Sequence, residues 1–449
     1  MSAELVAGLS YEERQAAEGL LSFVRQSPSM FHAVKAIRNR LDAAGFTYLP
    51  ETAPWECAAG GSYYTVRNNS SIIAFKVGAE LPDAYHFQIT ASHTDSPAFK
   101  VKSNPDIAGP ASYQRLNVEA YGGMIDYTWF DKPLSLAGRV MVETENRIDS
   151  VLVSTQNIAL IPSLAIHMDH GVNSGFAPNR RTDLVPLIST GKLKSETINT
   201  FLADEVGAYP DQIMGFDLYL ANSQEPCLWG AAEEFVSAPR LDDLMCAYTS
   251  LEAFLRSANE SCVSVLCCFD NEEVGSNTKQ GAMSTFLPDT LKRLNVALGH
   301  DAEMYRRALA ASFLVSCDNA HAVHPNHPEK SDEGNCAYLN QGIVVKEAAN
   351  QKYCTDALSR AVFSAVCKNA GVPFQRFANR SDMAGGSTLG NLSNIQASMH
   401  GVDVGCPQLA MHSAFETAGS RDVMLAIRAL LAFYEADIII GGADSVRLE

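Results

Sequence analysis

Three apolar runs that stop in clusters of acids and histidines constrain this chain's fold more than any other feature. Residues 85–91 pass into Ser92-His93-Thr94-Asp95-Ser96-Pro97, residues 262–269 into Asp270-Asn271-Glu272-Glu273, and residues 311–317 into Asp318. Short runs with β-branched and alternating apolar residues read as strands, as does 71–77. Polar groups at a strand's carboxyl end are where open α/β sheets place their sites. Helical periodicity fills the intervals at 11–25, 31–44, 242–256, 356–369 and 421–436. Ser29 is the expected N-cap of the second helix and Gly45 its stop. Strand and helix alternate, which predicts an α/β fold.

Between residues 102 and 232 the texture changes. Alternating runs such as 135–142 and 150–160 are separated by turn signals at Gly122-Gly123 and Glu145-Asn146, the pattern of a β-rich unit. With 449 residues the chain has room for two or three domains. The economical division is one discontinuous α/β domain, 1–101 with 233–449, interrupted by an inserted unit at 102–232. No repeat at a solenoid period is present.

Lys and Arg number 34 against 51 Asp and Glu, a net charge of −17. That sign disfavours nucleic acid and anionic lipid as partners. The first residues lack the basic start and apolar core of a signal peptide, and no stretch approaches the ~20 apolar residues of a membrane span. A cytoplasmic protein is expected. Its 11 cysteines contain no C-x-x-C pair and read as reduced core residues.

The polar clusters carry the chemistry. Divalent ions of borderline hardness take imidazole and carboxylate ligands, and a close pair needs a bridging carboxylate plus about two terminal ligands each. His93, Asp242, Glu273, Asp318 and His412 meet that count and leave Glu272 over. Adjacent carboxylates point in different directions, so one of Glu272-Glu273 can bind metal while the other faces water. Asp95, two residues after His93, can hold the second imidazole nitrogen. Each residue alone has a plainer reading: a surface His–Asp pair, an acidic turn, helix caps at Asp242 and Asp318, a core imidazole at 412. Their conjunction favours a metal centre.

His321, His324 and His327 resemble a metal tract, but Pro325 and Pro328 break any helix there, so a surface loop fits as well. Gly385-Gly386-Ser387-Thr388 could form an anion nest or simply a flexible loop. H-E-x-x-H, G-x-S-x-G, P-loop and G-x-G-x-x-G signatures are absent.

SHTDSP, PRLDDL, DNEEVGS, DNAHAVHPNH and QLAMHS occur in this order over nearly the whole chain, and together they resemble the M18 metallopeptidases, the aspartyl aminopeptidases. The resemblance implies a phosphorylase/hydrolase-like α/β/α catalytic domain with an inserted β-rich dimerisation domain, dimers assembling into a homo-dodecamer. It implies two divalent ions, zinc first, with cobalt or manganese also compatible. His93 and Asp318 would hold one ion, Glu273 and His412 the other, and Asp242 would bridge them. Glu272 would be the general base and Asp95 the orienter. Substrates would be peptides with an acidic N-terminal residue, whose carboxylate pairs with Lys346, while His167 reaches a neighbouring subunit's site. Asp243 stands where relatives often carry Asn, and DMAGGSTLG matches the family's glycine-rich segment only loosely. Two rivals are a dinuclear carboxypeptidase or deacylase of the same broad fold, and a catalytically silent, shell-forming metal-binding protein.

Overall fold

The structure, a computed structural model, describes residues 8–82, 84–193, 197–443 and 445–448. Its backbone is a nine-stranded mixed sheet in the order Thr47–Tyr48, Ser62–Arg67, Ser71–Val77, Val263–Phe269, Phe87–His93, Phe313–Cys317, His400–Gly405, Ile343–Glu347, Phe374–Ala378. The three runs that end in polar clusters lie side by side and parallel at its centre, with Phe87–His93 between the other two. Their carboxyl ends therefore emerge together.

Period-2 alternation explains the layering. Ile72, Ala74, Leu266, Cys268 and Val315 point to one face, where helices Tyr11–Gln26, Met30–Ala43, Leu241–Arg256, Ala357–Asn369 and Ser420–Glu435 pack on them. Ile73, Phe75, Val265, Cys267 and Phe269 point to the other, against Phe286–Ala297, Ala302–Ala310 and Leu389–Gln396. Each fully buried Leu, Ile or Phe contributes about 1.5–3 kcal/mol, so the central strands are the best-anchored part of the molecule. All eleven cysteines are free. Among the described residues no helix is long and apolar enough to cross a membrane.

The chain leaves this sheet after His93 and enters a six-stranded antiparallel sheet in the order Arg147–Ser154, Leu134–Thr144, Ile213–Asn222, Ala98–Ala108, Gln114–Tyr121, Leu187–Ser189. Its first strand, Ala98–Ala108, runs across position 101. The strand expected over 150–160 ends at Ser154, where the Thr155 hydroxyl takes Leu136 N–H and donates to the Gln156 carbonyl. A third sheet, of five short strands, carries Ala320–His321, Pro407–Leu409 and Glu416–Gly419.

Two local expectations change. Ser29 sits at the N-cap of Met30–Ala43, but its hydroxyl makes no capping bond and instead meets His32 Nδ1 at 2.8 Å. The stretch read as helical from residue 242 contains two non-helical residues, Asp242 (φ −84°, ψ 106°) and Asp243 (φ −120°, ψ 23°), one residue beyond left-handed Arg240. This break keeps both carboxylates out of a regular first turn. Gly45, by contrast, does end its helix with a positive φ of 83°.

Candidate metal centre

His93 ends its strand, Asp242 lies in the broken helix start, Glu272 and Glu273 form one turn of 3-10 helix beyond Phe269, Asp318 follows Cys317, and His412 has φ +67° in the loop between two short strands. These residues converge. One ligand atom from each of His93, Asp242, Asp243 and Asp318 lies within 4.8 Å of the others; so do those of His93, Glu272 and Glu273, and those of Asp242, Glu273 and His412. All of them except Asp243 line a cleft of about 290 Å³ together with His321, Lys346 and Thr388.

The two imidazoles are oriented alike. His93 Nδ1 donates to the Asp95 backbone carbonyl at 3.0 Å, and His412 Nδ1 donates to the Gly123 carbonyl at 2.7 Å. Each ring thereby turns Nε2 toward carboxylates: His93 Nε2 lies 3.5 Å from Asp242 Oδ1, and His412 Nε2 lies 3.4 Å from both Asp242 Oδ2 and Glu273 Oε1. A backbone carbonyl on one nitrogen and an open second nitrogen is how ligating histidines are held. Asp242 thus presents one oxygen to each imidazole. Asp242 Oδ1 and Glu273 Oε1 are buried with no hydrogen-bond partner, a costly arrangement unless a cation completes it. The donor set fits a divalent ion of zinc type.

Without a cation, protons do that work. Burial opposes charging His412, yet Asp242 and Glu273 raise its imidazole to about 10. Against the same penalty, Asp243, Asp242 and Asp95 hold His93 well above its ordinary value. Burial lifts Glu272 to about 8, the pull of His93 being outweighed with help from Asp318, Asp95 and Asp242, and it holds Glu273 well above the carboxylate range. His412 and Glu272 lie above neutrality, and His93 and Glu273 are shifted in the same direction, so a cation that takes these lone pairs competes with protons. Zinc titrated into the metal-free protein at pH 7 is expected to release at least about one proton per ion. Calorimetry in buffers of differing ionisation enthalpy reads this directly; heats independent of the buffer would contradict it.

The carboxylate of Asp95 does more than face His93. It is 3.4 Å from His93 Nδ1, farther than its own backbone carbonyl. Its oxygens instead accept the backbone N–H of Glu272 at 3.1 Å and Glu273 at 3.2 Å, and the Tyr121 hydroxyl at 2.6 Å. A carboxylate with three donors to satisfy is better used there than on a nitrogen already paired. Asp243, noted only as a departure, accepts His93 N–H at 3.1 Å. Glu416, not singled out in the sequence, accepts Asp242 N–H at 3.0 Å and His412 N–H at 2.7 Å, and burial, then Asp242, raises it to about 8. Only its short distance after His412 could have hinted at it.

Lys346 is no solvated surface lysine. It is 2% exposed, and its Nζ donates to the Asp318 carbonyl at 2.6 Å and the Asn319 carbonyl at 3.2 Å, lying 3.7 Å from Asp318 Oδ1. His321 opens onto the cleft, whereas His324 and His327 pair with each other on the exposed loop, ring centroids 5.2 Å apart. Thr388 donates to buried Asp403 at 2.6 Å, which anchors the glycine-rich loop at the cleft wall. His167 is exposed beside His170 and does not line the cleft.

Imidazoles and carboxylates gathered at the carboxyl edge of an α/β sheet, with a spare carboxyl among them, define a metal-dependent hydrolase. The family model described as "Aminopeptidase I zinc metalloprotease (M18)" matches residues 23–434. A "Probable M18 family aminopeptidase 2" of Clostridium acetobutylicum is 43% identical over 428 residues, covering 94% of this chain and 99% of the relative. Among solved structures, a chain of the Ape4 and Nbr1 complex superposes with a TM-score of 0.92 at 38% identity, covering 96% of this chain and 87% of its own. The S. cerevisiae mApe1 dodecamer gives 0.82 at 26%, covering 94% and 97%. The chain belongs to the M18 peptidase family and is a metalloaminopeptidase.

Proposed function

We propose that this aminopeptidase removes acidic N-terminal residues from peptides at a pair of divalent ions, most simply zinc. His93 and Asp318 hold one, Glu273 and His412 the other, and Asp242 spans both. The observation that carries this reading is the split of Asp242, one oxygen facing each imidazole. Bound divalent ions would polarise the scissile carbonyl and lower the pKa of water. The protein's own part is proton handling and orientation. Glu272 lies in the cleft beside His93 with its backbone tied to Asp95, so its carboxyl can take a proton from the attacking water and return it to the leaving amine. The carboxylates around the cleft meet the free α-amino group and restrict attack to the first bond.

An acidic side chain entering among Asp and Glu would be repelled unless a cation receives it. Lys346 is that cation, lining the cleft. His167, exposed and away from its own cleft, is assigned to the cleft of a neighbouring copy, within a cytoplasmic dodecamer whose dimers join through the inserted unit. The similarity to the mApe1 dodecamer supports the assembly.

The test is turnover of Asp-, Glu-, Leu- and Lys-terminated chromogenic amides, free and N-acetylated, before and after chelation. Free acidic substrates should be cleaved fastest, acetylated ones not at all. Cleavage of the blocked amides would turn the reading toward a deacylase, and activity indifferent to chelation would end it. In the same assay Lys346→Ala is expected to lower kcat/KM for acidic termini about 10- to 100-fold more than for Leu, the worth of a hydrogen bond between charged groups. Equal losses on both would mean Lys346 acts only through Asp318.

A further inference from the structure

We infer that Tyr121-Gly122-Gly123, contributed by the six-stranded sheet, is a positioning strap for the metal centre, with Tyr121 as its polar anchor. The inference rests on the reading of Glu273 and His412 as ligands and Glu272 as base. In the sequence the two glycines are only a turn signal. In the structure each of the three residues meets a different part of the site.

Tyr121 donates its hydroxyl hydrogen to Asp95 Oδ2 at 2.6 Å and accepts from Asn271 Nδ2 at 2.8 Å. Asp95 in turn holds the backbone N–H groups of Glu272 and Glu273, so the tyrosine fixes the carboxylate that sets the base and a ligand together. Gly122 has φ +76°, and a Cβ there would lie 3.1 Å from Glu273 Cβ and 3.4 Å from Pro97 Cα. Only a residue without a side chain passes there unstrained. Gly123 supplies the carbonyl on His412 Nδ1, and two residues on, Ile125 N–H donates to the His412 carbonyl at 2.9 Å. A plain connection between strands needs none of these partners. The centre is therefore completed by a sheet that supplies none of its ligands.

The decisive measurement is zinc affinity by chelator competition on the full chain. Tyr121→Phe keeps the ring, which stands edge-on to Tyr219 with centroids 5.4 Å apart, and removes one hydroxyl; Gly122→Ala perturbs the approach to Glu273 independently. Both are expected to weaken zinc binding about 10- to 100-fold, as loss of a group that orients ligands does. In the zinc-saturated enzyme kcat should fall with KM little changed. Tyr219→Phe, whose hydroxyl makes no bond to Asp95 or Asn271, is the control and should match the wild type. Wild-type zinc affinity in the folded variants overturns the inference, including when the metal-free unfolding midpoint drops, since that pair of results marks a tyrosine that only stabilises the fold. If Tyr121→Phe does not fold, Gly122→Ala gives the answer alone. The affinity is read without substrate, so a wild type that cleaved no amide would refute the proposed reaction and leave this measurement intact.

Discussion

Glu272→Gln is expected to lower kcat by about 10²- to 10⁴-fold, the contribution of a positioned acid-base group, while zinc content stays at the wild-type level. The amide keeps the size of the side chain, and the backbone N–H of residue 272 keeps its bond to Asp95. What disappears is a carboxyl able to change protonation. Burial lifts that carboxyl to about 8 in the metal-free protein, and cations bound beside it would lower it toward the ionised form a base needs. Zinc by mass spectrometry and kcat on an acidic amide are the two measurements. A variant with both zinc and near-native kcat would remove Glu272 as the base; one that lost zinc would make it a ligand.

Asp242→Ala should be more severe, because on the proposed reading one side chain serves two ions. Its Oδ1 faces His93 and its Oδ2 faces His412. Zinc per chain is expected to fall from about two to below one, and activity to approach that of the chelated wild type. Adding zinc should restore little, since two coordination shells are each short of a ligand. Retention of two zinc ions per chain would show that Asp242 does not bridge. Retention of one, with substantial turnover, would favour a single-ion mechanism at the remaining ligands.

Much of this centre was visible before any coordinates. The three parallel strands announced themselves by composition, and their terminal clusters contained His93, Glu272, Glu273 and Asp318, because burying charge in the middle of a strand covered on both faces is costly. Helical periods located the five helices of one face to within a few residues, but not Phe286–Ala297, Ala302–Ala310 and Leu389–Gln396 on the other. Asp242 was found as a residue type, although its surroundings were misread: a regular helix start was expected where the backbone breaks at 242 and 243. His321 was set aside with its two neighbours, yet it alone of the three turns into the cleft.

The groups that hold the candidate ligands in place were mostly not legible. Asp242 and Glu416 are 174 residues apart, and His412 and Gly123 are 289 apart. Both contacts use a backbone N–H or carbonyl, which every non-proline residue possesses and which therefore leaves no mark in composition or spacing. Asp95 is instructive in the same way: its nearness to His93 suggested a carboxylate–imidazole pair, whereas its own carbonyl meets that nitrogen and the carboxylate is drawn to the Glu272-Glu273 amides and Tyr121.

The order of residues, then, determined the strands, their apolar interiors and the kinds of donor at their tips, since those follow from local periodicity and the cost of burying charge. Only the folded chain decided which backbone amides and carbonyls clamp those donors, and that a second sheet reaches over to complete the centre. These are matters of approach between distant segments, set by how the sheets pack, and short stretches of sequence carry no record of them.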